Sequence, residues 1–147
     1  MKFKDEKPLV SICVTSFNSG RYIHRILDSS LNQTYKNIEV VVVDDASTDD
    51  SEKIISEYVA RDKRVKYFRN TKRIFIIKSL LKMLGLTHGK FVIWPGADDW
   101  LSRDFIAKGV RSLLEHPEAA GVVPKIINLC EIDRDTFEFM SEVALPS

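Results

Sequence analysis

The chain has 147 residues, of which 44% are hydrophobic and 29% charged, a balance typical of one folded globular domain rather than a disordered chain. The 22 Lys and Arg residues nearly cancel the 21 Asp and Glu residues, which argues against a nucleic-acid-binding protein that depends on bulk positive charge. No run of about 18 apolar residues could span a membrane, and the charged N-terminus, MKFKDEKP, lacks the apolar core of a signal peptide. Two cysteines, Cys13 and Cys130, do not make a disulfide framework, so we expect a reducing, cytoplasmic location.

The predicted elements alternate between short apolar runs and longer amphipathic segments. Strands are predicted at residues 9–14, 38–43, 65–69, 91–94 and 119–123, and between them lie helices whose apolar residues fall within 22–31, 54–59, 74–86 and 105–114. The run IEVVVV at 38–43 predicts a central strand covered on both faces. Ser47 with Asp50, and Ser102, are predicted to cap two of the helices. This order predicts an α/β fold, with a mainly parallel open sheet and helices on both faces, in a single domain at residues 1–147.

Three predicted strands end in polar loops, and in an open parallel sheet these ends meet at one edge, where ligands bind. Residues 15–18 (TSFN) follow the first strand, residues 44–50 (DDASTDD) the second, and residues 94–100 (WPGADDW) include the end of the fourth and its loop. This edge is therefore expected to hold one aromatic side chain, Phe17, and two pairs of adjacent aspartates. Adjacent carboxylates persist when they are solvated, hydrogen-bonded or bridged by a cation, and oxygen ligands of this kind suit Mg²⁺ or Mn²⁺.

Each of these features also has a purely structural interpretation. The aspartates within 44–50 could satisfy free N–H groups at the start of the following helix. The pair Asp98 and Asp99 could form a solvated turn after a Pro-Gly dipeptide, and Phe17 could belong to the core.

The three loops with their flanking residues resemble those of the family 2 glycosyltransferases, which have the GT-A fold. The resemblance rests on VSICVTSFNSGRYI, SSLNQTYKNIEVVVVDDASTDDS and GKFVIWPGADDW, and it covers about residues 8–116. It implies a donor site for a nucleotide-diphosphate sugar, expected to be a UDP-sugar, with Mn²⁺ or Mg²⁺ as the metal. It also implies inverting transfer to a hydroxyl of an unknown sugar or lipid-linked acceptor, in polysaccharide or glycoconjugate synthesis.

On the base-binding side, the resemblance implies roles for five residues. Thr15 and its neighbour Asn18 would line the nucleotide base, and Phe17 would stack on uracil. Asp44 is implied to accept a hydrogen bond from uracil N3–H, with Asp45 beside it.

On the metal side, the resemblance implies that Asp99 is the metal ligand and that Asp98 contacts the ribose or completes the metal shell. Gly96 stands where the family has the first Asp of its DxDD motif, so one ribose or metal contact is expected to be missing. The family's glycine and second asparagine are also absent from the segment of Arg73 and Lys78. Each of these two cations either reaches the base or diphosphate or is a surface charge.

The catalytic base of the family, usually the Asp of an ED motif, lies well downstream of the metal motif, and no clear ED motif follows Asp99 here. We therefore expect the base to lie outside this chain. The chain is expected to be the nucleotide-binding part of a longer enzyme, inactive alone, with any membrane association supplied by the missing parts. By charge alone, the candidates for a base within the chain are Glu131, Asp133, Asp135, Glu138 and Glu142.

Other α/β classes fit the sequence less well. A sugar-nucleotide transferase of related fold favours a Gly-rich basic loop after the first strand, and SFNSGRY is a poor match. A signalling receiver domain has its acidic pair after the first strand, whereas Asp44 and Asp45 follow the second, and a Rossmann dehydrogenase needs a GxGxxG motif where only Gly20 is present. A degenerate domain that binds a nucleotide without turnover stays open, because Gly96 replaces an aspartate.

Overall fold

The computed structural model describes residues 7–122, together with the backbone of residues 126–133 and 136–143. The chain divides into two compact units, Met1–Arg111 and Ser112–Ser147. Strands and helices alternate as β1 (Val10–Ser16), α1 (Ile23–Leu31), β2 (Ile38–Asp44), α2 (Ser51–Arg61), β3 (Val65–Arg69), α3 (Phe75–Leu84), β4 (Phe91–Ile93) and α4 (Phe105–Glu115). Within the described part of the chain, none of the helices has the length and apolar character needed to cross a membrane.

The four strands β1 to β4 form one parallel sheet in the order β3-β2-β1-β4. Ser16 of β1 lies opposite Asp44 of β2, so these two strands end side by side. The chain first adds strands on one side of β1 and then places β4 on the other side, so the topological switch point lies between β1 and β4. The predicted α/β fold with a parallel sheet is confirmed.

The central strand β2 is buried on both faces, as its sequence predicted. Val41 and Val43 pack with Cys13 of β1 and with Met83 of α3. Successive side chains of a strand point to opposite faces, so the valines between them face the other way, where α1 and α2 pack against each other. Fully burying one such side chain stabilises the fold by roughly 1.5–3 kcal/mol. The packing on both faces of β2 therefore gives the candidate site a stable support.

The start of α2 differs from the prediction. Helix α2 begins at Ser51 with Asp50 at the N-cap, and the Asp50 side chain makes no capping hydrogen bond. Ser47 instead donates its hydroxyl to Asp44, and the N–H of Ser51 is accepted by the carboxylate of Asp49 at 3.0 Å. The predicted cap is wrong because the buried carboxylate of Asp44 competes for the Ser47 hydroxyl.

The start of α4 is held by Gln33 rather than by the side chain of Ser102. Gln33 is fully buried, and its Oε1 accepts the N–H of Ile106 at 3.0 Å while its Nε2 donates to the carbonyl of Ser102 at 2.7 Å. The Ser102 hydroxyl bonds to Asp104, so the predicted cap is wrong here too. One amide side chain offers both a donor and an acceptor, and Gln33 therefore ties the end of α1 to the start of α4.

In the second unit, the described residues 119–122 do not form the strand predicted at 119–123. Residues 119–122 are not in a strand, because the N–H of Ala119 donates to the carbonyl of His116 at 3.0 Å and closes a turn. Residue 123 lies outside the described residues. The strands of this unit are β5 (Ile126–Asp133) and β6 (Thr136–Val143), an antiparallel pair that the sequence did not predict.

Candidate functional site

Three loops meet at the carboxyl edge of the sheet, after β1, β2 and β4. The register that places Ser16 opposite Asp44 aligns the first two loops. A parallel bridge between Thr15 and Gly96 aligns the first with the third. The strand ends after β1, β2 and β4 therefore converge as predicted.

Asp44 is completely buried, and its carboxylate is held by its neighbours. Its Oδ2 accepts the N–H of Ser47 at 3.1 Å and the hydroxyl of Tyr67 at 3.4 Å, and it pairs with the guanidinium of Arg69 at 3.0 Å, while Oδ1 accepts the Ser47 hydroxyl. Arg69 also donates to the Ser47 carbonyl at 2.8 Å. Sequence reasoning did not predict this cation, although Arg69 is the residue of β3 that lies opposite Asp44 in the sheet register.

Asp45 is almost fully buried and holds the segment that leads into α3. Its oxygens accept the N–H groups of Ile74 and Phe75, each at 2.8 Å, and the side-chain amide of Asn70 at 2.9 Å. Burial by itself would raise the pKa of Asp45, but these hydrogen bonds and one from Ser79 lower it below its ordinary value. Phe75 has a φ of 66°, which is unfavourable for a bulky side chain, so Asp45 stabilises a strained turn.

Asn18 joins the loop after β1 to the loop after β2. Its Oδ1 accepts the N–H of Thr48 at 2.8 Å, and its own N–H donates to the Ser47 hydroxyl at 2.9 Å. Asn18 has a φ of 51°, a conformation that asparagine tolerates better than most residues. A second tie lies close by, where the N–H of Gly20 donates to Asp49 at 2.9 Å. Asp49 also accepts the N–H of Ser51, the first residue of α2, so the structural interpretation of the aspartates at 44–50 is correct for Asp49.

Phe17, the predicted stacking platform, is 37% exposed, and Arg73 lies over its ring. The guanidinium carbon of Arg73 is 3.8 Å from the centroid of Phe17 and 4.8 Å from that of Phe75. A cation at this distance is attracted by the ring face. The structure therefore places Arg73 over Phe17 at the carboxyl edge of the sheet, whereas Lys78 is exposed on α3.

Thr15, near the end of β1, lies next to the loop after β4. Its Oγ1 accepts a hydrogen bond from the indole N–H of Trp94 at 3.3 Å. The Trp94 side chain is 42% exposed, so it forms part of the surface of the edge.

Asp98 and Asp99 are both exposed, in contrast to Asp44 and Asp45. Asp99 Oδ2 accepts the N–H of Gly96 at 2.7 Å. The carboxylate of Asp98 has no hydrogen-bond partner among the residues that the structure describes. A Cβ on Gly96 would lie 2.8 Å from Asp98 Oδ1 and 3.2 Å from Asp99 Oδ2, so the position of the missing aspartate faces both carboxylates.

The carboxylates in the loop after β4 are the kind of ligand that a hard divalent cation prefers, but they are few in number. In the described ranges, no group of three or more His, Cys, Asp and Glu residues could hold a metal ion. Mg²⁺ commonly binds one or two carboxylates and completes its shell with water and substrate phosphates, and Asp98 and Asp99 suit that pattern.

The acidic residues considered as catalytic bases cannot be placed in this site. The side chains of Glu131, Asp133, Glu138 and Glu142 lie outside the described residues, and so does the whole of Asp135.

A family model described as "Glycosyl transferase family 2" matches residues 11–136. The chain belongs to this family. An uncharacterized glycosyltransferase of Haemophilus influenzae is 37% identical over 122 residues, which are 82% of this chain and 38% of that protein. The chain thus spans well under half the length of this relative.

Two solved structures share the fold, which confirms the GT-A assignment. The mannosyltransferase PcManGT from Pyrobaculum calidifontis, in complex with GDP-Man and Mn²⁺, is 29% identical with a TM-score of 0.69, over 74% of this chain and 33% of that one. Residues 1–349 of TarS from S. aureus, in complex with UDP-GlcNAc, are 26% identical with a TM-score of 0.69, over 82% of this chain and 38% of that one. The two structures hold different nucleotides, so family membership does not decide the base.

Proposed function

We propose that this chain binds a UDP-sugar together with Mn²⁺ or Mg²⁺, as the donor site of an inverting glycosyltransferase. The proposal rests on the arrangement of side chains at the carboxyl edge of the sheet. The exposed ring of Phe17 and the buried Asp44 follow β1 and β2, and the exposed pair Asp98 and Asp99 follows β4. An aromatic face and a fixed carboxylate suit a nucleobase, and free carboxylates suit a metal that meets the diphosphate.

Support for uridine comes from the remaining hydrogen-bonding capacity of Asp44. Its Oδ2 already meets Ser47, Tyr67 and Arg69, whereas its Oδ1 meets only the Ser47 hydroxyl. A carboxylate oxygen accepts about two hydrogen bonds, so Oδ1 keeps room for one N–H donor such as uracil N3–H. Because Asp44 is completely buried in the free protein, the side chains that cover it would have to move when the base binds. Thr15 and Asn18 would line the same pocket, and Asp45 would contribute by fixing the turn that carries Arg73.

Arg73 would have to leave the face of Phe17 for a base to stack there. Its long side chain and fixed positive charge suit the diphosphate, which would lie on the path from the base to Asp98 and Asp99. Arg73 would therefore cover the ring of Phe17 in the free protein and contact the diphosphate in the complex.

The metal would be held by Asp99, with Asp98 in the metal shell or on the ribose. When bound, a divalent cation neutralises charge on the departing diphosphate. In the whole enzyme, a carboxylate would remove the proton of an acceptor hydroxyl, which attacks the anomeric carbon from the face opposite the diphosphate. The acceptor would be a sugar or lipid-linked hydroxyl in polysaccharide or glycoconjugate synthesis, and that carboxylate would lie outside this chain.

Calorimetry with UDP and GDP, each with and without Mn²⁺, tests the donor assignment. UDP with Mn²⁺ should bind more tightly than GDP with Mn²⁺, and equal or tighter binding of GDP would reject uridine. Asp99→Ala should weaken UDP binding with Mn²⁺ far more than without it. Asp50→Ala removes an exposed carboxylate of the loop after β2 that makes no capping bond, so it is the matched control and should change neither value.

The alternative is a nucleotide-binding domain of the same fold without turnover, and Gly96 in place of an aspartate favours it. Sugar transfer assays of the full-length protein with UDP-sugars and sugar or lipid-linked acceptors separate the two functions. Donor binding with neither transfer nor donor hydrolysis would support the alternative.

A further inference from the structure

Helix α3 exposes a stripe of large apolar side chains. Leu81 is 64% and Ile77 62% exposed, while Ser79 and Met83 on the inner side of the helix are fully buried. At 3.6 residues per turn, Ile77, Leu81 and Leu84 lie one above the other on the side away from Met83. We call these three residues the α3 stripe. Such a stripe on a surface helix marks an interaction surface, since isolated soluble proteins rarely expose contiguous apolar patches of large size.

Along the sequence, the Lys, Arg, Asp and Glu residues around this stripe are all of one sign. Residues 63–97 contain nine Lys and Arg residues and no Asp or Glu, although the whole chain carries a net charge of only +1. Three of these cations are neutralised by carboxylates from outside the stretch, in the pairs Arg64–Asp62, Lys66–Glu39 and Arg69–Asp44.

The cations on and just before α3 are not neutralised in this way. In the part of the chain that the structure describes, Lys72, Arg73, Lys78 and Lys82 make no ion pair with a carboxylate. Lys78 and Lys82 are spaced by one helical turn, on the flank of the helix next to the α3 stripe. Lys82 bonds to the neutral side-chain oxygen of Asn70 at 2.7 Å, which leaves its charge uncompensated.

We propose that α3 is a membrane-surface helix, with the α3 stripe at the boundary of the headgroups and acyl chains and Lys72, Lys78 and Lys82 against anionic lipid headgroups. Helices that lie in the plane of a membrane combine an apolar face with a basic one in this manner. An anionic leaflet attracts basic segments, and this attraction acts together with burial of the apolar side chains.

A second copy of the chain fits the surface less well than a bilayer. A twofold interface between two copies brings the same patch of each protomer together. Lys78 and Lys82 of one copy, which make no ion pair with a carboxylate of the described residues, would then lie near the same lysines of the other copy and be repelled by them. Acidic lipid headgroups would attract these lysines instead.

The orientation of the candidate site follows from this placement. The N–H of Phe75, the first residue of α3, donates to Asp45 at the carboxyl edge of the sheet. A bilayer under α3 would therefore lie beside the edge that holds Phe17 and Asp44. The lipid contact does not depend on the nucleotide assignment, because it uses residues on the outer side of α3.

Cosedimentation of the full chain with vesicles tests this placement. Binding is expected to vesicles of phosphatidylcholine mixed with phosphatidylglycerol, to weaken as salt is raised, and to be much weaker to phosphatidylcholine alone. Leu81→Glu and Lys78→Glu should each reduce binding to the anionic vesicles at least about tenfold. Val59→Glu, a change from an apolar to an acidic residue, is the control for Leu81→Glu, and Lys53→Glu is the control for Lys78→Glu. Both positions are exposed on α2, and both variants should bind the vesicles as the parent chain does.

Three outcomes would overturn the proposal. One is the absence of binding to anionic vesicles, and another is equal loss of binding in the α2 and α3 variants. The third is a concentration-dependent dimer in analytical ultracentrifugation that Leu81→Glu dissociates while vesicle binding persists. Because both α3 positions are exposed, circular dichroism of each variant should match that of the parent chain, so loss of binding reports the surface and not the fold.

Discussion

The loop after β2 and the loop after β4 both contain two adjacent aspartates, but the two pairs lie in opposite environments. Asp44 and Asp45 are buried, and their oxygens accept hydrogen bonds from β3, from their own loop and from the turn before α3. Asp98 and Asp99 are exposed, and the one hydrogen bond that the structure shows to either carboxylate comes from the N–H of Gly96. The same dipeptide is therefore buried among hydrogen-bond donors in one loop and exposed to solvent in the other.

The difference has a physical origin in the neighbours of each strand. β2 is a central strand, so the residues at its end lie between the ends of β1 and β3 and receive donors from both sides. Among the strands that the structure describes, β4 is at the edge of the four-stranded sheet and only three residues long, so its loop has a described strand end on one side only. Removal of a buried carboxylate after β2 should therefore cost more stability than removal of an exposed one after β4.

The largest effect is expected from Asp45→Ala. The change leaves three donors without this acceptor, namely the part-buried N–H groups of Ile74 and Phe75 and the buried side-chain amide of Asn70. We expect the free energy of unfolding to fall by about 4 kcal/mol, measured by urea denaturation. Asp98→Ala is the matched change in the exposed pair and should stay within about 0.5 kcal/mol of the parent. Similar losses in the two variants would contradict the distinction between the loops.

The sequence predicted the strand run at 38–43 and the order of elements because apolar runs and amphipathic stripes are local signals. It also placed Phe17 and both aspartate pairs at one edge, since strand ends in a parallel sheet meet there. Which pair is buried could not be predicted, because the Arg69 and Asn70 contacts depend on the register between β2 and β3. The strand predicted at 119–123 failed because a local turn at His116 competes with an extended chain.

A third carboxylate, Glu39 at the other end of β2, extends the comparison to acid stability. Burial alone would raise the pKa of Glu39, but hydrogen bonds from Lys66, Ser11 and the N–H of His88 lower it to about 2. Because the folded value lies below the ordinary 4.5, the ionised carboxylate stabilises the fold above about pH 4.5, and this contribution is lost as the pH falls toward 2. It amounts to about 3 kcal/mol.

Denaturation across that pH range measures the contribution. Glu39→Gln should be less stable at neutral pH, and its stability should fall less between pH 4.5 and 2 than that of the parent. Asp98→Asn is the control at an exposed carboxylate, and its free energy of unfolding at neutral pH should match that of the parent within about 0.5 kcal/mol. An unchanged acid profile in Glu39→Gln would show that other carboxylates dominate acid unfolding.

A smaller effect is expected at Asn18, which ties the loop after β1 to the loop after β2. Asn18→Ala removes the acceptor for the N–H of Thr48 and puts alanine at a φ of 51°, so we expect a loss of about 2 kcal/mol. Asn18→Gly loses the same hydrogen bond but adopts this φ freely, and it should cost about 1 kcal/mol. Thermal unfolding of both variants separates the backbone effect from the hydrogen bond, and equal losses would assign the whole effect to the side chain.

The smallest change in stability, with a distinct effect on the metal, is expected at Gly96. This glycine has no positive φ, and a Cβ would meet only the ends of two exposed side chains, 2.8 Å from Asp98 Oδ1 and 3.2 Å from Asp99 Oδ2. These ends can rotate away, so Gly96→Ala should cost no more than about 0.5 kcal/mol in urea denaturation. Gly96→Asp places a third carboxylate beside those of Asp98 and Asp99. The three carboxylates repel one another, and a bound cation offsets this repulsion. Added Mn²⁺ should therefore stabilise Gly96→Asp more than Gly96→Ala, and Mn²⁺-dependent UDP binding to Gly96→Asp should tighten several-fold by calorimetry. If Mn²⁺ acts equally on the alanine and aspartate variants, the cation does not bind at the loop after β4.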